Sequence, residues 1–278
     1  MSTARTDSLV SVRGLCKSYV QKRQFSGAKF TVDALCNVNL EIPRGATTAL
    51  VGESGAGKST LVRCVALLEK PTGGEIEFDG RNLLALDTEE LFRARRQVQL
   101  VFQDPTSSLN PGMTAAEIVA EPLAIQREGR SADRRRQAIE LMEHVGLPSA
   151  SADKRPLEFS GGQRQRLAIA RALALRPKLL ILDEAFSNLD LATRESILRL
   201  LRDLQAAHSL TYLHVSHDLR MVFDLADEVA VMCEGRIVEH GTAVELFAHP
   251  QHDCTRVLLE ATQLPARLAI DCTTEAPR

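Results

Sequence analysis

Apolar and polar positions alternate from Leu9 through Val10, Ser11, Val12 and Arg13, which predicts a strand. The polar stretch from Gln21 to Lys29 reads as a loop. Alternation resumes over Asn37–Ile42 and stops at the turn Pro43-Arg44-Gly45. Ala46 to Val51 is a short run of Ala, Thr, Leu and Val, suited to a buried strand. It runs into a Gly-rich loop, and a helix is expected from Ser59. Gly73-Gly74 punctuates the chain before a strand and turn over Glu75–Gly80. Thr88 to about Gly146 reads as mainly helical, interrupted by a loop from Asp104 to Gly112. Leu179–Leu182 and Tyr212–Val215 are expected buried strands. Val229–Cys233 and Arg236–Glu239 flank Glu234-Gly235, a hairpin signal. Beyond about Gln263 the chain is rich in Pro, Thr and charge and is expected to fray. Strands alternating with helices predict an α/β core with a helical insertion in its middle.

Composition narrows the classes. The 278 residues are 44% hydrophobic and 25% charged, enough to bury a core, and the formal net charge of -2 argues against a nucleic-acid-binding chain. No apolar run approaches the roughly 18–20 residues that cross a bilayer. Arg5, Asp7, Arg13, Lys17, Lys22 and Arg23 interrupt the first thirty residues, so no secretory signal is expected. The six cysteines, Cys16, Cys36, Cys64, Cys233, Cys254 and Cys272, form no C-x-x-C pair and are expected as separate reduced thiols.

Two segments carry chemistry. Gly52-Glu53-Ser54-Gly55-Ala56-Gly57-Lys58-Ser59, followed by Thr60, fits G-x-x-x-x-G-K-[ST] in full. Its glycines let the backbone bend until N–H groups point inward at a triphosphate, and the following helix aims its positive end the same way. Lys58 is expected to neutralise the β/γ-phosphates and the Ser59 hydroxyl to reach Mg2+. The apolar run Leu179–Leu182 delivers two carboxylates, Asp183 and Glu184, at a strand end. Asp183 suits a Mg2+ ligand and Glu184 a group that polarises water. A third segment, Phe159-Ser160-Gly161-Gly162-Gln163 before a helical pattern, is another helix start able to face an anion.

With that third segment, residues 8–260 resemble the ATP-binding cassette family, and 261–278 form a short tail. Ser160-Gly161-Gly162-Gln163 resembles the family's signature, with Phe159 in place of the usual Leu. Gln103 resembles the Q-loop glutamine, Ser187-Asn188-Leu189-Asp190 the D-loop, His217 the switch histidine, and Tyr19 the aromatic residue that stacks on adenine. The resemblance implies a P-loop NTPase cassette with a RecA-like core, an antiparallel β subdomain and a helical signature subdomain at about 104–172. It implies ATP and Mg2+ as ligands, with Mg2+ held through Ser59, Gln103 and Asp183. It also implies head-to-tail pairing, each ATP lying between the Gly-rich loop of one subunit and Ser160–Gln163 of the other. Glu184 would polarise water, His217 would contact the γ-phosphate, and Gln103 would pass movement to the helical insertion. The implied assembly has two integral membrane permeases, a second ATPase (twin or paralogue) and an extracytoplasmic substrate-binding protein. This chain would lie peripherally on the cytoplasmic face of a bacterial inner membrane.

Other residues resemble one branch. Phe102-Gln103-Asp104-Pro105-Thr106-Ser107-Ser108-Leu109-Asn110-Pro111, Glu121-Pro122-Leu123 and the His249–Leu259 segment are similar to importers of dipeptides, oligopeptides and nickel. Asn188 and Arg220 point toward the smaller ATPase of nickel importers, so nickel is weighed slightly above peptides, with a metallophore-bound metal a further option. His240, His249, His252 and Cys254 invite a metal site, though they fit the branch's tail. Arg93, Arg95, Arg96 and Arg134–Arg136 could meet anionic lipid or a partner, but suit a solvated helix face. The rival class is a soluble mechanical ATPase of the same superfamily. Its members have two cassettes or long insertions, and neither is visible here.

Overall fold

A computed structural model describes residues 7–22, 29–102, 104–186 and 189–261. In chain order its elements are β1 (Ser8–Lys22), β2 (Lys29–Pro43), β3 (Thr47–Val51), α1 (Lys58–Val65), β4 (Gly73–Phe78), β5 (Arg81–Asn82) and α2 (Thr88–Ala94). There follow β6 (Val98–Val101), α3 (Pro105–Ser108), α4 (Ala115–Ile125), α5 (Ser131–His144), α6 (Gly161–Leu173), β7 (Leu179–Asp183) and α7 (Leu191–His208). The chain ends with β8 (Thr211–Val215), α8 (Leu219–Leu225), β9 (Glu228–Cys233), β10 (Arg236–Thr242), α9 (Ala243–Ala248) and α10 (Asp253–Ala261). Two compact units emerge: residues 1–91 with 211–278, and residues 92–210.

The first unit holds two sheets. One is antiparallel, in the order β2-β1-β4-β5. Alternation puts Val38, Leu40 and Ile42 of β2 inside, with Asn39 and Glu41 between them outside, and Leu35 is buried on the other side of Asn37. Register shifts in β1 flank Leu15, where Gly14 and Asn37 both take left-handed backbone. In the other sheet, β3 pairs parallel with both β8 and β9, and β10 pairs antiparallel with β9. Every residue of β3 and of β8 is buried, the polar Thr47, Thr48, Thr211 and His214 included, which is why neither segment alternates between an inner and an outer face. Ala49 and Val51 of β3 pack with Leu219, Val222, Val229, Val231, Leu246 and Leu258, so α8, α9 and α10 cover this part of the sheet. Asp227 fastens the start of β3 by accepting the Thr47 N–H at 2.7 Å.

The second unit sets α4, α5 and α6 around a small apolar centre of Leu123, Leu141, Ala174 and Leu175. Here β6 pairs parallel with β7. The expectation of a mainly helical stretch from Thr88 to Gly146 needs correction, because β6 interrupts it. Four residues, two of them buried, are too short to show a period, and the arginines before them resemble a helix face. A turn of helix, α3, also stands inside the expected Asp104–Gly112 loop. Thr114 caps α4, accepting the Glu117 N–H at 3.3 Å while the Glu117 carboxylate accepts the Thr114 N–H at 2.8 Å. The Thr114 N–H and, at 3.0 Å, the Thr114 hydroxyl both donate to the Glu117 carboxylate and hold it below the usual carboxylate range.

Three further expectations change. Gly73 and Gly74 belong to β4 itself, and Gly74 passes so close to Gly14 that an added Cβ would lie 2.4 Å from its carbonyl oxygen. The strands β1 and β2 extend well beyond the expected alternating segments, so only 23–28 of the expected Gln21–Lys29 loop falls outside the described residues. The cysteines are not all separate: Cys233 at the end of β9 and Cys254 in the first turn of α10 form a disulfide, with Cα atoms 6.4 Å apart. A search for neighbouring cysteines cannot see this pair, because 21 residues separate them and the α9–α10 segment brings them together. Cys16, Cys36 and Cys64 are free. The tail from 262 onward, with Cys272, lies outside the described residues.

The wholly buried β3 strand is expected to dominate the first unit's stability. Leu50→Ala should cost about 2–5 kcal/mol and Leu50→Met less than about 1.5 kcal/mol, read from urea unfolding midpoints. Equal losses from both would show that packing at Leu50 is not the determinant.

Candidate functional site

The Gly52–Thr60 segment links the end of β3 to α1, the strand-loop-helix context its chemistry requires. Gly52, Gly55 and Gly57 all have positive φ, of 150°, 85° and 104°. Gly55 has open space where a side chain would stand, whereas the other two are demanded from behind. A Cβ on Gly52 would lie 2.1 Å from the Met232 carbonyl oxygen, and one on Gly57 would lie 2.5 Å from that of Ala34. Glycine at these two positions therefore serves a close approach of β9 and β2 to the loop, a role the motif alone does not reveal. Two backbone bonds complete the backing. Gly235 N–H donates to the Ala56 carbonyl at 2.9 Å, and the Gly235 carbonyl accepts the Cys36 N–H at 2.8 Å. Gly235 follows Glu234 in the β9–β10 turn, both with positive φ, as a two-residue hairpin of the primed type requires.

Lys58 opens α1 and is buried. Its Nζ donates to the carbonyls of Gly52 and Glu53, each at 2.8 Å, so the ammonium folds across the loop. Glu53, Ser54 and Ser59 are exposed and Thr60 is half-buried. The loop thus offers flexible-φ amides, one fixed cation, exposed hydroxyls and a helix start. That donor set fits a phosphate chain with a divalent cation.

Tyr19 lies on β1. Its hydroxyl is tied to the Glu69 carboxylate, and Lys17 Nζ sits 5.1 Å from the ring centroid. Burial and the Glu69 bond raise the phenol above its ordinary value. His217 is exposed in the turn after β8. That turn is set by Ser216 Oγ, which accepts the Asp218 N–H at 3.0 Å, and by Asp218, which caps α8.

In the second unit Asp183 ends β7 half-buried, and Glu184 follows it half-buried with φ at 48°. Left-handed backbone is uncommon for a non-glycine residue and clusters at functional sites. Ser160 caps α6 in a reciprocal box with Gln163: Ser160 Oγ accepts the Gln163 N–H at 3.3 Å, and Gln163 Oε1 accepts the Ser160 N–H at 2.9 Å. Asp190 caps α7 by accepting from the Thr193 N–H at 2.9 Å and the Thr193 hydroxyl at 2.7 Å, bonds that lower its carboxyl below the ordinary value. A Cβ on Gly162 would lie 2.4 Å from the Thr193 Cγ2 methyl, so Thr193 joins the Asp190 cap to the start of α6. Sequence reasoning did not single out Thr193. Its only local sign is its place three residues after a capping Asp. Gln103, Ser187 and Asn188 lie outside the described residues.

The remaining candidates are structural. Among the described residues no group of three or more His, Cys, Asp or Glu is placed to hold a metal ion. His240 pairs with Glu228 at 3.2 Å, His252 Nδ1 accepts the Cys254 N–H at 3.1 Å, and Cys254 is in the disulfide. Arg135 pairs with Asp153 at 2.7 Å, Arg136 with Asp133 at 3.0 Å and Arg96 with Glu128, the pattern of a solvated face. Glu121 pairs with Arg171 of α6 at 2.8 Å. No helix among the described residues is long and apolar enough to cross a membrane.

Comparison with known proteins agrees with this geometry. The profile of the family described as ABC transporter matches residues 35–187. The dipeptide transport ATP-binding protein DppF of Haemophilus influenzae is 44% identical over 254 residues, 91% of this chain and 78% of that protein. A putative peptide import ATP-binding protein of Brucella ovis is 45% identical over 257 residues, 92% of this chain and 79% of that protein. Among solved structures, the ATP-binding cassette MJ0796 in a dimeric post-hydrolysis state bound to ADP and Pi has 33% identity and a TM-score of 0.74, covering 84% of this chain and 98% of that one. Clostridium perfringens cbiO1, part of the ABC transporter complex cbiONQ, has 29% identity and a TM-score of 0.75, covering 96% and 99%. The cassette fold expected above, with its RecA-like core, antiparallel sheet and helical subdomain, is the fold found.

The contact of Gly162 with Thr193 predicts a rescue. Gly162→Ala should destabilise by about 1–3 kcal/mol by urea unfolding, because its Cβ meets the Thr193 methyl. Adding Thr193→Ser removes that methyl and keeps the hydroxyl on Asp190, and should recover more than half of the loss. Additive losses in the double variant would disprove the contact's importance.

Proposed function

We propose, from the premise that this chain belongs to the ABC transporter family, the following division of labour in an ATP-hydrolysing, energy-coupling subunit of an import complex. The carrying observation is the Gly52–Thr60 loop, bent by glycines whose backs are closed by Met232 and Ala34 and crossed by a buried Lys58. The amides of Gly52–Gly57 and the α1 start bind the phosphate chain of ATP, with Ser54, Ser59 and Thr60 as hydroxyl donors. Lys58 exchanges its carbonyl partners for β/γ-phosphate oxygens. Tyr19 offers its ring to adenine, the Glu69 bond fixing the ring's tilt.

When bound, Mg2+ would supply charge neutralisation on the phosphate chain. Ser59, Asp183 and Gln103 are the residues assigned to hold it. Glu184, at a left-handed backbone position directly after Asp183, orients and polarises water. His217 contacts the γ-phosphate. Ser160–Gln163, on a helix start already capped by its own Ser160–Gln163 box, faces the nucleotide held by a second ATPase subunit, with Ser187 and Asp190 beside it. A nucleotide with a γ-phosphate joins the two subunits and hydrolysis releases them, a two-state switch.

The assembly proposed comprises two integral permeases, a second ATPase and an external substrate-binding protein, with this chain peripheral on the cytoplasmic face. The relatives' names favour small peptides as cargo over the nickel that Asn188 and Arg220 suggested. The soluble mechanical reading has no relative among those described to support it.

Lys58→Ala should weaken ATP binding by roughly 10–100-fold in calorimetry, since a charge-assisted contact is lost. Unchanged affinity would contradict the cradle. Glu184→Gln should keep ATP affinity, lose about 100-fold or more of single-turnover hydrolysis, and accumulate an ATP-bound dimer in sedimentation. Rapid hydrolysis by this variant would remove Glu184 from its role.

A further inference from the structure

The loop that binds phosphate is held from behind by a turn, and that turn is held by a covalent bond. Met232, whose carbonyl crowds Gly52, precedes Cys233. Gly235, whose N–H reaches Ala56, stands two residues after it. Cys233 is joined to Cys254 in the first turn of α10. The α10 side of the bond is itself anchored. The Glu239 carboxylate on β10 accepts the Gln251 N–H at 2.7 Å, the His252 N–H at 3.1 Å and the Thr255 hydroxyl. Burial disfavours the ionised form of Glu239, but these donors outweigh it and keep the carboxyl below its ordinary value. The disulfide therefore ties the back of the Gly-rich loop to a fixed point.

Cys233 and Cys254 are both half-buried, neither sealed in the core. Cys64, by contrast, is buried in α1, and burial pushes its thiol up to about 11, so it stays protonated and inert. Disulfides in a reducing compartment are usually transient or redox-sensing. For a subunit proposed to face the cytoplasm, a disulfide next to the nucleotide loop has that character.

We propose that Cys233–Cys254 is a reversible thiol–disulfide modification site whose state sets the affinity of the Gly52–Thr60 loop for ATP. The inference rests on the ATP-binding reading above. A dithiol reductant gives two electrons and two protons: the S–S bond breaks, Cys233 and Cys254 become thiols, and the reductant closes to its own disulfide. The β9–β10 turn then loses its covalent tether while keeping its hydrogen bonds to Ala56 and Cys36. The loop spends less of its time in the backed, binding-competent form, and affinity falls with that fraction.

The test compares the intact chain oxidised and reduced with dithiothreitol, scoring the 233–254 bond by mass spectrometry and ATP binding with Mg2+ by calorimetry. Reduction should weaken ATP binding roughly threefold or more and lower the melting temperature by about 5 °C, both recovered with oxidised glutathione. Cys254→Ser should bind like the reduced protein and ignore the reductant, while Cys16→Ser should keep the full response. Should Cys254→Ser misfold by circular dichroism, Cys233→Ser serves the same comparison. Equal ATP affinity in the two redox states, or thiols at 233 and 254 in the oxidised protein, overturns this inference alone. Absence of ATP binding in both states overturns it together with the nucleotide reading.

Discussion

Everything chemical in the first unit depends on the close approach of the β9–β10 turn to the Gly-rich loop. A loop that turns its amides toward an anion can spend few of them on itself, here the Ala56 N–H on the Glu53 carbonyl at 3.2 Å, so much of its shape is imposed from outside. Here the imposition is backbone on backbone. The Met232 carbonyl sits where a Gly52 side chain would be, and the Gly235 N–H holds the Ala56 carbonyl. The strand that delivers Met232 pairs directly with β3, the strand that delivers Gly52. One sheet thus positions both the loop and its support, so the backbone of the proposed anion site is shaped before binding and the rearrangement falls on the Lys58 side chain.

The second unit solves a related problem at two helix starts. Ser160–Gln163 and Asp190 satisfy their own orphan amides by capping, so α6 and α7 begin at fixed points without needing a ligand. Thr193 then couples them, because its hydroxyl serves Asp190 while its methyl abuts Gly162. A displacement of the Asp190 segment would therefore be felt at Gly162. That is the kind of discrete contact through which a nucleotide-dependent switch can be shared between two segments.

What was legible in the chain was local. Gly52–Ser59, the run ending in Asp183-Glu184 and the Ser160–Gln163 start each announce themselves by residue type and spacing, and each stands in the expected strand or helix context. The Glu234-Gly235 hairpin was legible for the same reason. What escaped was long-range or too short. β6 has four residues and no period of its own, so only its pairing with β7 defines it. The Cys233–Cys254 bond and the crowding of Gly52 by Met232 are products of tertiary approach across 21 and 180 residues, which no spacing rule encodes.

The branch markers show why cargo was read less securely than chemistry. Glu121, in the Glu-Pro-Leu segment that suggested the importer branch, spends its carboxylate on Arg171 of α6, and Arg171 also donates to the Ser108 carbonyl at 3.3 Å. Arg171 thus links α4, the segment around Ser108 and α6 within one unit. Of the two nickel pointers, Asn188 lies outside the described residues, and Arg220 is an exposed residue in the first turn of α8, where its backbone N–H completes the Asp218 cap. Neither Glu121 nor Arg220 is built to meet a cargo. A resemblance resting on them therefore rests on local packing and capping, which two branches with different cargo can share.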